Sequence, residues 1–145
     1  KQYFTNSGRV VYGGGGITPD VIEKNDMTYN ESTRKIYFHE DRLLFKYANH
    51  IKASGDVPLD FNELMGTYEI NQDGFLEWLD FNKIEYIKEE LVNDDDWSFI
   101  MKRIRAEVAN VLWSRKHFYR ALIYNDKQVQ TALNQFDSAE ELIKK

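Results

Sequence analysis

The segment from residue 69 to residue 80 carries oxygen-bearing side chains at a spacing that resembles a calcium-binding loop. Four of them stand where an EF-hand loop has ligands, at positions 1, 3, 5 and 12, and they are Glu69, Asn71, Asp73 and Asp80. Gly74 stands at position 6, where such a loop has its glycine. Position 1 is Glu instead of Asp, however, and Asp80 is one methylene shorter than the usual bidentate Glu. A single calcium loop is one hypothesis, and a loop in which Asp73 caps the start of a helix is the alternative.

Lysine, histidine and serine side chains share one face of a predicted helix. Lys46, His50 and Ser54 recur at every fourth residue, and nucleophilic catalysis needs such groups within hydrogen-bond reach of one another. Any polar helix face produces this spacing, and nothing in the sequence suggests the burial that would lower the pKa of Lys46. No Gly-x-Ser-x-Gly nucleophile elbow is present either. We expect no catalytic residue in this chain.

The other groups that bind metals or anions have simpler interpretations. On one continuous helix His39 and His50 would lie roughly 16 Å apart, too far to share an ion. His117 is interpreted as a solvated or capping residue, and the cluster from Asp94 to Asp96 as the start of a helix. The run from Gly13 to Gly16 lacks the Gly-Lys-Ser/Thr ending of a phosphate loop and is interpreted as a turn with positive φ. Outside the calcium hypothesis we expect no metal and no cofactor.

The elements that position these residues change character along the chain. Two β-forming segments, residues 2–5 and 9–12, flank a turn-like Asn6-Ser7-Gly8 and predict a hairpin. Residues 17–22 are a third extended piece, in which Pro19 belongs at an edge or a strand start. A polar, aperiodic stretch follows. We therefore predict two domains, residues 1–24 and residues 32–145.

From residue 32 onward the apolar spacing is that of helices. Ser32 or Thr33 is predicted to cap a first helix that ends near Gly55, and Asp60 introduces a short helix over residues 61–65. The clearest helix begins at Asp94 and carries an apolar stripe as far as residue 112. Asp126 and Ser138 are predicted to cap the last two helices. The predicted fold class is mainly α: a short N-terminal β-hairpin followed by a helical domain of five to six helices.

Composition excludes several classes of function. The chain has 145 residues, of which 42% are hydrophobic, and this is enough for a core of its own. A net charge of -5 with scattered basic residues argues against a nucleic-acid partner. The absence of cysteine excludes disulfides and thiolate chemistry. No apolar run reaches the roughly 18 residues of a membrane span. Because the chain begins directly on a strand-like segment, we expect it to be a fragment of a longer protein.

The first two dozen residues carry a resemblance to a known family. The residues concerned are Phe4, Thr5, Gly8, Arg9, Val11, Gly16, Ile17, Pro19 and Asp20. Their order resembles that of the carboxyl-terminal processing (tail-specific) serine proteases, which have an aromatic-x-Thr-x-x-Gly-Arg-x-Ile/Val strand and a Gly-Ile-x-Pro-Asp segment just after their catalytic lysine. The resemblance implies that the nucleophilic serine and the lysine both precede residue 1. This chain alone is then unable to cleave a peptide bond.

The resemblance also implies a role and a location. The chain would be the C-terminal region of the endopeptidase, supplying the end of the catalytic-core sheet and a helical packing or regulatory domain. The parent enzyme would act on protein or peptide substrates, in the periplasm or at the outer membrane. Two alternatives stay open: a helical protein-interaction module, with homo-oligomerisation through the helical domain as a further expectation, and the single-loop calcium-binding module.

Overall fold

The fold class predicted from the sequence is confirmed by a computed structural model, which describes residues 2–5, 8, 10–13, 19, 21–24 and 28–143. The strands are β1 (Gln2–Phe4) and β2 (Val10–Tyr12). The helices in the described residues are α1 (Glu31–Tyr37), α2 (Leu43–Ser54), α3 (Phe61–Gly66), α4 (Gln72–Phe81), α5 (Lys88–Leu91), α6 (Asp94–Leu112), α7 (Arg115–Ile123), α8 (Lys127–Leu133) and α9 (Phe136–Ile143). Five of these, α2, α4, α6, α7 and α9, have eight residues or more.

The chain divides into two compact units. One comprises residues 1–26 together with residues 126–145, and the other comprises residues 27–125. The division into residues 1–24 and 32–145 stays a prediction.

The hairpin pairs its strands in antiparallel register. Tyr3 lies opposite Val11 and Phe4 opposite Val10. Gly8 closes the turn with a φ of 79°, and its N–H donates to the carbonyl of Thr5 at 2.9 Å. Glycine tolerates this left-handed conformation because it has no Cβ. All six strand residues are exposed, so the hairpin buries neither of its faces within the described structure.

The predicted first helix is in fact two helices, and its predicted cap is wrong. Asn30 precedes α1, while Ser32 and Thr33 are buried inside the helix. The chain then turns through residues 38–42, where Arg42 adopts a left-handed φ of 52° before α2 begins. A left-handed backbone conformation costs free energy for a residue with a Cβ. Residues 38–42 contain no glycine or proline, so nothing in the sequence indicates that the helix is interrupted there. The predicted end of this region is confirmed, since Gly55 caps α2 with a φ of 82°.

Side-chain caps start four of the later helices in the described residues, α3, α4, α6 and α8. Asp60 accepts hydrogen bonds from the backbone N–H groups of Asn62 and Glu63 at the start of α3. Asn71, and not the predicted Asp73, caps α4 by accepting from Gly74. Such bonds satisfy N–H groups that a first turn leaves without helical partners.

Helix α6 is the centre of the unit formed by residues 27–125. It begins at the predicted Asp94, and Asn93 caps it by accepting from the N–H of Asp96. Its stripe of Ile100, Ile104 and Val108 is fully buried and packs with α2 and α7. From α2 the core receives Leu43, Leu44, Tyr47, Ala48 and Ile51. The apolar spacing at three and four residues thus fixes which faces of both helices meet.

The other unit ends in two short helices. Asp126 caps α8, as predicted, by accepting from the N–H of Val129 at 3.1 Å. Ser138 was predicted to cap the last helix, but it lies inside α9, which already begins at Phe136. Among the described helices, none combines the length and the apolar character that crossing a membrane requires.

Candidate functional site

Four of the motif residues that the structure describes, Phe4, Thr5, Gly8 and Val11, lie on the hairpin. Phe4 ends β1 with 69% of its surface exposed, and Val11 lies in β2 with 38% exposed. Thr5 and Gly8 form the two ends of the turn. Pro19 is exposed and belongs to no helix or strand. The remaining motif residues, Arg9, Gly16, Ile17 and Asp20, lie outside the described residues.

The glycine run has one described member, and the reason for a glycine there is space. Gly13 follows β2, and a Cβ atom added to it would overlap the ring of Tyr3. Its φ is not positive, in contrast to the predicted turn conformation. The other three glycines of the run lie outside the described residues.

The segment that follows the motif contacts a helix near the end of the chain. The Thr131 hydroxyl donates to the Glu23 carboxylate at 3.1 Å, and the Gln128 side-chain amide donates to the Glu23 carbonyl at 3.5 Å. Residues more than a hundred positions apart in sequence are thereby joined inside one compact unit. Helix α8 therefore holds the backbone just beyond the motif.

The four calcium-ligand candidates do not come together into a coordination site in the structure. Helix α4 occupies residues 72–81, so most of the would-be calcium loop is helical. Asn71 caps that helix, and Asp73 lies in its first turn. Glu69 precedes the cap and lies close enough to Arg105 for the two charges to interact. Within the described ranges no three histidine, aspartate or glutamate side chains form a group that could hold a metal ion.

The fourth calcium candidate has another partner. Asp80 accepts a hydrogen bond from the Tyr86 hydroxyl at 2.9 Å. Burial and this bond to the carboxylate raise the pKa of Tyr86 to about 12, because both oppose loss of the phenolic proton. Asp80 thus ties the end of α4 to the chain that follows it.

The lysine, histidine and serine of α2 are not arranged for catalysis. The Lys46 ammonium pairs with Asp41 at 2.9 Å, and the Ser54 hydroxyl donates to the carbonyl of Ile51 at 2.8 Å. The ring of His50 stacks on Tyr47 with a centroid separation of 5.9 Å. His39 is not on this helix but in the turn before it, so the continuous helix considered for His39 and His50 does not form.

His117 and Trp113 belong to an aromatic cluster at the start of α7. The Ser114 hydroxyl and Nδ1 of His117 lie 2.9 Å apart, next to the cap of the helix. Phe61 approaches the ring of His117 with a centroid separation of 5.8 Å and that of Trp113 at 6.1 Å. Both residues pack one part of the fold against another.

A groove of about 240 Å³ lies in the unit formed by residues 27–125. We call it the arginine groove. The end of α1, the turn after it and the beginning of α2 contribute some of its lining residues, and α6 and α7 contribute the others. Its lining residues are Tyr37, Phe38, Arg42, Leu44, Phe45, Arg103, Glu107 and Phe118.

Two guanidinium groups of the groove lie against aromatic rings. Arg42 lies 4.5 Å from the ring centre of Phe45, and Arg103 lies 5.1 Å from the ring centres of both Tyr37 and Phe99. A cation over an aromatic face is attracted by the ring quadrupole, which fixes the guanidinium plane in position. The rings therefore help to hold both arginines in place.

Only one carboxylate lies among the lining residues. Glu107 pairs with Arg42 at 3.7 Å and also accepts from the side-chain amide of Asn110 at 3.0 Å. Within the described part of the chain, Arg103 has its aromatic contacts but no ion-pair partner. The spacing of Arg103 and Glu107, four residues apart on α6, places both on one helix face. The groove consequently has more positive than negative charge, in a chain whose net charge is -5.

Sequence reasoning did not identify the groove, since its walls come from residues up to about eighty positions apart. The one local pattern in the sequence that belongs to the groove is the spacing of Arg103 and Glu107 on α6. Many solvent-exposed helices have oppositely charged residues at this i, i+4 spacing, so it does not indicate a site. The left-handed backbone of Arg42 sets the direction of the chain between α1 and α2, and no residue pattern in the sequence predicts this conformation.

Comparisons of this chain with models of known protein families, with curated proteins and with solved structures find no match.

Proposed function

We propose that this chain is the C-terminal region of a carboxyl-terminal processing (tail-specific) serine endopeptidase. The observation that carries the proposal is the hairpin, which presents Phe4 and Val11 on its strands and Thr5 and Gly8 at the ends of its turn, with both strand faces exposed. A two-stranded hairpin is marginally stable alone in water, and its free edges can pair with further strands. These are the properties of a segment that completes a larger sheet.

In this proposal the chemistry belongs to the parent enzyme. A serine attacks the scissile carbonyl, and a lysine kept neutral by burial accepts the serine proton. Both residues lie in polypeptide that precedes residue 1. The helical residues of this chain serve as a packing and regulatory platform, and the parent acts on protein or peptide substrates in the periplasm or at the outer membrane.

The hydrogen bonds from α8 to Glu23 support a link between the helical tail and the catalytic core. The segment that they hold comes directly after the motif. Its position would then depend on the helices, which gives the tail a physical means of stabilising the closing strand of the core sheet.

The direct test is to recover the parent polypeptide and assay it against a peptide with an apolar C-terminus. Cleavage that is lost when the candidate serine is replaced by alanine is the expected result. A parent polypeptide without a serine and a lysine in the region before residue 1 would refute the proposal.

A second test compares one substitution in two contexts. Val11 is exposed in the present chain, so Val11→Asp should change its unfolding free energy by less than about 0.5 kcal/mol. In the parent the same side chain would be buried in the sheet, and an unpaired carboxylate there should lower the melting temperature and the activity strongly. An equally small effect in both contexts would contradict the role in the sheet, and Val21→Asp in the parent is a matched control outside the hairpin.

A second candidate function, a helical protein-interaction module, is favoured by the arginine groove. Its rim includes Phe38, which is 75% exposed. Exposed aromatic side chains and arginines are the residues that most often dominate protein interfaces. Light scattering on the purified chain and on Phe38→Ala tests self-association through this surface: assembly that the substitution weakens is expected if the module is homo-oligomeric.

A further inference from the structure

We infer that the arginine groove binds an acidic peptide segment in which a carboxylate side chain stands next to a bulky apolar one. This inference deepens the second candidate function, the interaction module, and does not depend on the protease proposal. It rests on the charge of the groove, on the chemistry of its walls and on its size.

The charge of the groove selects an anion. Arg103 has no carboxylate partner in the described residues, and the pairing of Arg42 with Glu107 at 3.7 Å is longer than the roughly 2.7–2.9 Å of a charge-assisted hydrogen bond. Both guanidinium groups therefore keep N–H donors for an incoming acceptor. Planar guanidinium groups bind carboxylates through two parallel hydrogen bonds, which adds geometric specificity.

The walls select an apolar neighbour for that anion. Tyr37, Phe38, Phe45 and Phe118 surround the two arginines. The ring of Phe118 is itself covered by the guanidinium of a third arginine, Arg115, at 4.8 Å. An apolar side chain entering the groove would remove from water the ring surface that the guanidinium groups leave uncovered, above all that of the exposed Phe38. A purely ionic ligand would leave this surface exposed.

The size of the groove favours a peptide over a small cofactor. Its volume of about 240 Å³ lies below the roughly 300–1,000 Å³ of small-molecule sites. It can accept one or two side chains of a longer segment. The rest of that segment would run across the exposed surface of Phe38 and Arg42.

The test is a fluorescence-anisotropy titration with a short fluorescein-labelled peptide that repeats Glu-Phe-Asp-Leu. Wild-type protein should bind it with an affinity that falls as salt is added, because the contacts are ionic. Arg103→Gln should weaken binding roughly tenfold to a hundredfold, the effect of losing hydrogen bonds to a charged group. Arg34→Gln is the matched control: it removes the same charge from an exposed site on α1 that does not line the groove, and binding should stay within about twofold.

Two peptide controls separate the parts of the inference. The peptide with Gln and Asn in place of its acids tests the anion requirement, and the peptide with alanine in place of Phe and Leu tests the apolar one. Both should bind at least about tenfold more weakly than the parent peptide.

Circular dichroism shows whether each variant is folded, and Phe38→Ala provides a second groove variant at an exposed position. Binding that is unchanged by both Arg103→Gln and Phe38→Ala would overturn the inference. So would equal binding of the uncharged peptide, or no binding at millimolar peptide. If the chain self-associates but does not bind the peptide, the interaction module stands and the acidic ligand is refuted.

Discussion

Asp96 is the single charged residue in the buried core of the described structure, with 2% of its surface exposed. Its carboxylate accepts from the Asn30 backbone N–H at 2.9 Å and from the side-chain amides of Asn30 and Asn93, both at 3.0 Å. Burial is the largest influence and acts to raise its pKa, but the hydrogen bonds together outweigh it and the pKa of Asp96 is lowered. One carboxylate thereby joins the chain before α1 to the first turn of α6.

Replacing Asp96 with asparagine should lower the unfolding free energy at pH 7 by about 2 kcal/mol. The carboxylate of Asp96 accepts these hydrogen bonds with both of its oxygens. In asparagine one oxygen is replaced by an NH₂ group, which cannot accept a hydrogen bond from an N–H donor. Urea unfolding followed by circular dichroism measures the loss, and Asp95→Asn, at an exposed neighbour in the same first turn, should cost less than about 1 kcal/mol.

The same pair of proteins gives a pH dependence with a definite sign. A carboxylate whose folded pKa is lowered stabilises the protein above its unfolded pKa of about 3.9 and loses that effect as pH falls through the folded pKa. The gap between wild type and Asp96→Asn should therefore shrink below about pH 4. Hydrogen bonds from Ser32 also lower the pKa of Glu90, so the variant keeps some acid sensitivity. A gap that stays constant from pH 7 to pH 3 would contradict this account.

At the scale of elements, two glycines at helix ends differ in whether their backbone conformation requires a glycine. Gly55 ends α2 with a φ of 82°, and no atom lies within 4 Å of a Cβ placed there. Gly66 is the last residue of α3 and also has open space around it, but its φ is not positive. The two sites differ in backbone conformation and not in available room.

Gly55→Ala should therefore cost about 1 kcal/mol of unfolding free energy, the cost of a Cβ in left-handed backbone. Gly66→Ala should be neutral or slightly stabilising, because alanine restricts the unfolded chain more than glycine does. Thermal or urea unfolding of both variants provides the comparison. Equal losses at the two positions would show that the conformation at Gly55 is not the cause.

Elements that are determined by interactions between neighbouring residues were predicted from the sequence, and elements that depend on contacts between distant residues were not. The hairpin, the end of α2 at Gly55 and the start of α6 at Asp94 are set by local chemistry, and all three were predicted. The break before α2 and the burial of Ser32 were not. Ser32 accepts from the N–H of Ile87 at 2.9 Å, and a partner 55 residues away leaves no local pattern.

The arginine groove shows the same limit for a site. Its arginines and rings are visible in the sequence, but their meeting depends on the left-handed turn at Arg42 and on the packing of α6 with α2 and α7. The motif residues on the hairpin are recognisable in the sequence because they all lie within residues 4–11. Their functional meaning stays with the family resemblance.

At the scale of the whole molecule, the described structure distributes its apolar burial very unevenly. Among the residues whose burial is described, every buried hydrophobic one lies between Ile36 and Ala121, inside the unit of residues 27–125. The six residues of β1 and β2 are exposed, and α8 contains no buried residue. Because apolar burial supplies most of the favourable free energy of folding, the two units should differ widely in local stability.

Hydrogen–deuterium exchange should show this difference directly. Amides at the centres of α2 and α6 should be protected by roughly a thousandfold or more over those of β1 and β2, since they exchange only through global opening. Ile104→Ala is an internal control: it removes a fully buried side chain and should cost about 3 kcal/mol. Protection in α2 and α6 should then fall together while the hairpin amides keep their wild-type rates, because the hairpin contributes nothing to the core around Ile104. Two results would contradict this prediction: hairpin amides as well protected as those of α6, or hairpin amides that lose protection together with α6 in Ile104→Ala. Either result would show that the helical core stabilises the strands. The strands would then no longer need a larger sheet to be stable.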